Sequence, residues 1–215
     1  MKGILFDFDG VLARTMEDNF HAWRRVFLEY GAEITEKEFY PLEGMRLAEI
    51  AVALCSTYGV SADVQEICRK KEAYYKEHNS FSLYPGVEEL LERLAAASIP
   101  LGVVTGARRE RIEHTFPLLL LKKFSAVVTG ETGGRGKPYP DPYIVGAKEI
   151  GVLPQECIVV ENAPLGIASA KAAGTYCIAI TSTVSKEFLK EADEVVECFG
   201  DLAHVSPVQK LFGRT

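Results

Sequence analysis

Asp7 and Asp9 stand two residues apart at the end of an apolar run, in Gly3-Ile4-Leu5-Phe6-Asp7-Phe8-Asp9-Gly10-Val11. In an extended chain residues i and i+2 point the same way, so the two carboxylates are expected to share one face at the C-terminal end of a buried strand. Like charges held that close raise the pKa of one of the pair. A Mg²⁺ ion would offset the charge and leave one carboxylate free as a nucleophile. The pair therefore predicts a metal-assisted acidic active site.

Further strand ends run into polar groups of a compatible kind: Thr105 in Val103-Val104-Thr105-Gly106, Lys137 in Gly136-Lys137-Pro138 beyond the run at 126–129, and Glu161-Asn162 after Ile158-Val159-Val160. The set suits phosphoryl chemistry. A carboxylate attacks phosphorus, a second acid/base protonates the leaving alkoxide, and hydroxyl, ammonium and metal stabilise the remaining oxygens. The glycine-rich stretch Gly133-Gly134-Arg135-Gly136-Lys137 is not a P-loop, because Glu131 occupies the position of the required glycine and Pro138 replaces the Ser/Thr.

Positioning these groups requires a sheet. Phe20, Trp23, Val26, Phe27 and Tyr30 recur at helical spacing before Gly31, Leu47, Ile50, Ala51 and Leu54 form a second apolar face, and Val64 to Tyr75 a third. Residues 15–82 therefore read as an all-helical insert. From Tyr84-Pro85-Gly86 onward, helices near 87–97, 108–116, 141–150 and 165–173 alternate with strands at 101–105, 126–129, 157–160 and 176–180. That alternation predicts an α/β fold with a parallel sheet covered by helices on both faces, and such sheets bind ligands beyond the C-terminal ends of their strands.

Composition narrows the function classes. A chain of 215 residues, 47% hydrophobic, suits one large domain or a core with a smaller insert. Net charge is −6 and no lysine/arginine block stands out, which argues against a nucleic-acid partner and favours small ligands. The five cysteines are odd in number and lack a C-x-x-C pair, which fits reduced core thiols. The start of the chain leaves no room for a signal peptide before Asp7, and no run approaches the ~18 apolar residues of a membrane span. A cytoplasmic protein is expected, without membrane association and monomeric.

With the four motifs in this order, the chain resembles the haloacid dehalogenase (HAD) superfamily, in its β-phosphoglucomutase-like and phosphoglycolate-phosphatase-like branch. The resemblance spans nearly the whole sequence. It implies a Rossmann-like core of residues 1–14 and 83–215 with a helical cap of residues 15–82 inserted after the first motif. It also implies that Asp7 becomes an aspartyl-phosphate while Asp9 protonates the leaving group and later activates water. Thr105, with the N–H groups of Gly106 and Ala107, would bind phosphoryl oxygens, and Lys137 would balance Asp7 and phosphate. The second carboxylate speaks against a dehalogenase proper, since halide leaves without a proton.

The fourth motif departs from the family pattern, which has two adjacent acids where this chain has Glu161-Asn162. Either Asn162 ligates the metal with Glu161 behind it, or Glu161 coordinates directly. The expected Mg²⁺ ligands are therefore drawn from Asp7, Asp9, Glu161 and Asn162.

The insert should select the substrate by closing over the site. Its expected contributors are Thr15 and Asn19 near the hinge, Gly44 and Arg46 in the turn Leu42-Glu43-Gly44-Met45-Arg46, and Lys71. Sugar-phosphate mutases of the family typically carry histidine where this chain has Asn19, and their loop arginine lies one residue further from the glycine than Arg46. The reading is thus a Mg²⁺-dependent phosphatase of a small phosphorylated metabolite, with sugar phosphates among the candidates. A β-phosphoglucomutase-like isomerase and a catalytically weak phosphate-binding protein are the alternatives.

Overall fold

The computed structural model describes residues 1–213. Strand β1 (Gly3–Phe6) leads into four helices: α1 (Met16–Leu28), α2 (Glu36–Phe39), α3 (Leu47–Tyr58) and α4 (Val64–His78). Helices and strands then alternate through α5 (Val87–Ala96), β2 (Leu101–Val104), α6 (Arg109–Thr115), α7 (Leu118–Leu121), β3 (Ala126–Val128) and α8 (Asp141–Glu149). The chain continues through β4 (Cys157–Glu161), α9 (Pro164–Ala172), β5 (Tyr176–Ile180), β6 (Glu194–Val196) and α10 (Ser206–Phe212).

Among the described residues the strands form one sheet in the order β3-β2-β1-β4-β5-β6, every neighbouring pair parallel. Parallel strands buried on both faces read as continuous apolar runs, and Gly3-Ile4-Leu5-Phe6 is buried throughout. Alternate residues serve opposite layers. Ile4 and Phe6 join Val103, Val160 and Ile178 in the core beneath α5 and α10, whereas Leu5 joins Val104, Val159 and Cys177 beneath α8 and α9. This is the expected α/β sheet with helices on both faces.

The helices of residues 16–78 enclose a core of their own, built on Phe20, Trp23, Phe27, Ile50, Leu54 and Ile67. Helix α2 was not legible, being four residues long. The helix expected at 108–116 forms as α6; Pro117 favours an extended conformation at the preceding residue, Phe116 takes it (φ −88°, ψ 134°), and a further short helix, α7, follows. Strand β6 adds an unanticipated edge. Its three half-buried residues are too few to show a period.

Candidate active site

Strand β1 has β2 on one side and β4 on the other, so connections leave its C-terminal end in opposite directions and open a crevice there. Asp7 sits at that opening, its N–H donating to the Val160 carbonyl at 2.9 Å. Its Oδ1 accepts from Lys137 Nζ at 2.6 Å. Lys137 also donates to Glu161 Oε1 at 2.6 Å and to the Val104 carbonyl at 3.2 Å. Tyr143 donates its hydroxyl to Glu161 Oε1 at 2.7 Å, and the N–H groups of Asn162 and Ala163 donate to Oε2 at 2.9 and 3.3 Å. Both Glu161 oxygens are therefore engaged.

Burial pushes Asp7 up to about 7; Lys137 pulls the other way, while Glu161 and Asp9 push it further. Burial alone would discharge Lys137, but Asp7 and Glu161 outweigh it and hold the ammonium charged.

Asp9 has a separate set of partners. Its Oδ1 accepts from Thr15 Oγ1, from Asn19 Nδ2 at 3.2 Å and from an Arg111 nitrogen at 2.8 Å, while Oδ2 accepts from the second terminal nitrogen of Arg111. This fork is the bidentate geometry that arginine offers a carboxylate. Burial would raise the Asp9 carboxyl, but Arg111 more than compensates and holds it below the usual range. Each aspartate has its own side-chain cation, Lys137 for Asp7 and Arg111 for Asp9.

A third cluster stands beside them. Asn162 Nδ2 donates to Thr183 Oγ1 at 2.9 Å and to Glu43 Oε2 at 3.3 Å, and Thr183 donates to Glu43 Oε2 at 3.1 Å. Gly10 permits this approach: its φ is +80°, and a Cβ there would lie 2.2 Å from Asn162 Nδ2. Asn162 Oδ1 and Glu43 Oε1 are both buried with no hydrogen-bond partner among the described residues. Burial, with Asp7, Glu161 and Asp9 adding to it, pushes the Glu43 carboxyl well above its ordinary value. Among the described residues no three His, Cys, Asp or Glu side chains surround one point. The unpaired oxygens belong to one carboxyl and one amide that line the same cavity as Asp7, and oxygen donors of this kind suit a hard cation that keeps several waters.

The cavity over Asp7 and Asp9, about 60 Å³, is lined by Thr105, Gly106 and Ala107 from the core and by Asn19, Gly44 and Lys71 from the helical insert, among others. Thr105 Oγ1 accepts from the Ala107 N–H at 3.1 Å, as a capping residue would. Lys71, against Trp23 and Tyr75, donates to Asn19 Oδ1 at 2.6 Å and to Glu72 at 2.9 Å. Thr15 lies behind Asp9 with its hydroxyl on that carboxylate.

Arg46 is placed elsewhere. It donates to the carbonyls of Thr132 and Gly134 at 3.0 and 2.7 Å and lines an adjoining pocket instead of the cavity holding Asp7. The insert and core touch closely here, since a Cβ on Gly106 would lie 2.3 Å from the Met45 carbonyl oxygen.

Four residues of the site escaped the sequence reading as contributors. Glu43 carried a signal, standing before Gly44 in the turn already singled out. Arg111 had none, because Arg108-Arg109-Glu110-Arg111 reads as a solvated helix face. Tyr143 in α8 and Thr183 after β5 reach the site without a spacing that marks them.

The profile of the haloacid dehalogenase-like hydrolase family matches residues 4–180, and the chain belongs to that family. Its similarity to validoxylamine A 7'-phosphate phosphatase of Streptomyces hygroscopicus subsp. limoneus is 33% identity, covering 96% of this chain and 99% of that protein. Hexitol phosphatase A of Escherichia coli (strain K12) is 32% identical, with 91% of this chain and 90% of the relative covered. Among solved structures, beta-phosphoglucomutase from Clostridium difficile superposes with a TM-score of 0.85 at 25% identity, covering 99% of this chain and 97% of that one.

Proposed function

We propose that the protein is a Mg²⁺-dependent phosphatase of small phosphorylated metabolites, sugar phosphates among them. The observation that carries this reading is the buried chain Asp7–Lys137–Glu161–Tyr143 beside the unpaired oxygens of Asn162 and Glu43. The phosphatase names of the relatives support it. The proposal treats residues 15–82 as a cap over a core of residues 1–14 and 83–215, and places the protein in the cytoplasm.

Asp7, the Asp9 carbonyl, Asn162 Oδ1 and Glu43 Oε1 would hold the ion, with Glu161 behind Asn162 since its own oxygens are engaged. When bound, Mg²⁺ supplies charge to the phosphoryl oxygens and keeps the Asp7 carboxyl ionised.

Lys137 fixes Asp7 through Oδ1, leaving Oδ2 to attack phosphorus. As the new O–P bond forms, the bond to the leaving oxygen breaks and that oxygen takes from Asp9 a proton that Asp9 gains from solvent once the Arg111 fork opens. Asp9 then accepts a proton from water, whose oxygen attacks phosphorus and releases Asp7 and inorganic phosphate. Thr105 and the turn after it face the transferring group, and the closed insert excludes competing water.

The isomerase reading has the beta-phosphoglucomutase structure in its favour. Against it, Asn19 cannot exchange a proton and is held between Asp9 and Lys71.

The test is phosphate release from a panel of phosphorylated sugars, glycolate and nucleotides, with and without Mg²⁺ and with a bisphosphate activator. Activator-independent release that Mg²⁺ stimulates and Asp7→Asn abolishes is the expected result. Isomerisation of β-glucose 1-phosphate that depends on glucose 1,6-bisphosphate would favour the mutase, and wild-type rates in Asp7→Asn would remove Asp7 as nucleophile. Glu43→Gln should weaken Mg²⁺ binding about 10-fold or more by calorimetry; unchanged affinity would take Glu43 out of the site.

A further inference from the structure

Asp9 has to meet the leaving oxygen, yet in this structure both of its carboxylate oxygens are filled. Oδ1 carries three donors and Oδ2 the second arm of the Arg111 fork. A leaving group can reach Asp9 only if Arg111 turns away, and the guanidinium is a buried charge that needs another anion when it does.

The surroundings show where that anion would lie. Arg111, over the Tyr75 ring at 5.1 Å, forms a wall of the reaction cavity together with Lys71 and Arg108. Arg111, Arg108 and Glu72 also line a second cavity of about 230 Å³ between α4 and α6. That outer space carries Arg69, Lys76, Arg108 and Arg111 against Glu72 and Glu110, with His114 beside them. Cations outnumber carboxylates there, and no acid of the outer pocket is bonded to Arg111.

We infer that Arg111 is a substrate-binding residue, and that the esters this site prefers carry a second anionic group, a phosphate or a carboxylate, on the leaving group. That group takes the guanidinium from Asp9 and so admits the leaving oxygen to it. A neutral leaving group has nothing to offer Arg111 and must break the fork unaided. The inference rests on the phosphatase reading and narrows its substrate class.

Matched esters test it: 2-phosphoglycolate against 2-hydroxyethyl phosphate, and fructose 1,6-bisphosphate against fructose 1-phosphate. In the wild type, kcat/KM for the anionic member should exceed that of its neutral partner by about 10-fold or more, the size of a charge-assisted hydrogen bond. In Arg111→Ala that ratio should fall to near one, and Arg111→Lys should recover part of it. A purely structural role would lower both members alike and leave the ratio in place. The bisphosphate pair and the glycolate pair show separately whether phosphate or carboxylate is favoured.

Calorimetry of the same ligands with Asp7→Asn, with and without Arg111→Gln, reads binding apart from turnover. Arg111-dependent binding of the anionic ligands without hydrolysis of any ester by the wild type would sink the phosphatase reading and leave the subsite standing. A wild-type ratio near one, or a ratio that survives Arg111→Ala, overturns the inference.

Discussion

Lys137 bridges Asp7 and Glu161 through its ammonium, and Lys137→Met keeps most of its length while removing the charge. Nζ stands 2.6 Å from an oxygen of each carboxylate, and the side chain is 1% exposed. Removing one partner of a buried ion pair costs about 3–5 kcal/mol, and the upper end is expected because this cation serves two anions. At about 2–4 °C per kcal/mol for a chain of this size, Tm should fall by roughly 10–20 °C near pH 8. The deficit should shrink in acid. Asp7 lies at about 7 with Lys137 present, well above the usual carboxylate range, and loss of the ammonium raises it further. A carboxyl raised in the folded state contributes stability that is full below the unfolded pKa and disappears as pH rises through the folded one. Thermal unfolding followed by circular dichroism at pH 5 and pH 8, in EDTA, measures both effects. A variant within about 2 °C of wild type at pH 8, or a deficit that grows on acidification, would refute the reasoning.

The same elevation of Asp7 predicts how Mg²⁺ stabilises the protein. A cation competes with the proton on Asp7, so Mg²⁺ should raise Tm more at pH 8 than at pH 5; an equal or larger rise at pH 5, seen by scanning fluorimetry, would count against Asp7 as a ligand. Gly106→Ala places a Cβ 2.3 Å from the Met45 carbonyl oxygen, so the insert must stand off from the core. The expected result is a KM raised about 10-fold with a larger radius of gyration in solution scattering; unchanged values would show that this close approach is dispensable.

The apolar strands and the groups at their ends were legible because a parallel sheet buries both faces and leaves its chemistry at the C-terminal edge. Asp7, Thr105, Lys137 and Glu161-Asn162 come to one crevice for that reason, and each could be named from its neighbours in the chain. Elements of few residues were less legible, as with β6 and the short helices α2 and α7.

Which charge stands beside which was a different matter. Nothing in Arg108-Arg109-Glu110-Arg111 distinguishes the arginine that turns inward to Asp9 from its neighbours, because that choice depends on α4 closing over α6. Likewise, the packing of the turn at residues 43–46 against the core turns Arg46 to the Thr132 and Gly134 carbonyls and brings Glu43 against Asn162. The sequence by itself determined the sheet and the identity of the groups along its edge, since burial and strand period are local properties of the chain. Only the tertiary structure decided how those groups are paired, because a buried charge takes its partner from whatever element packs against it, 102 residues away for Asp9 and 130 for Asp7.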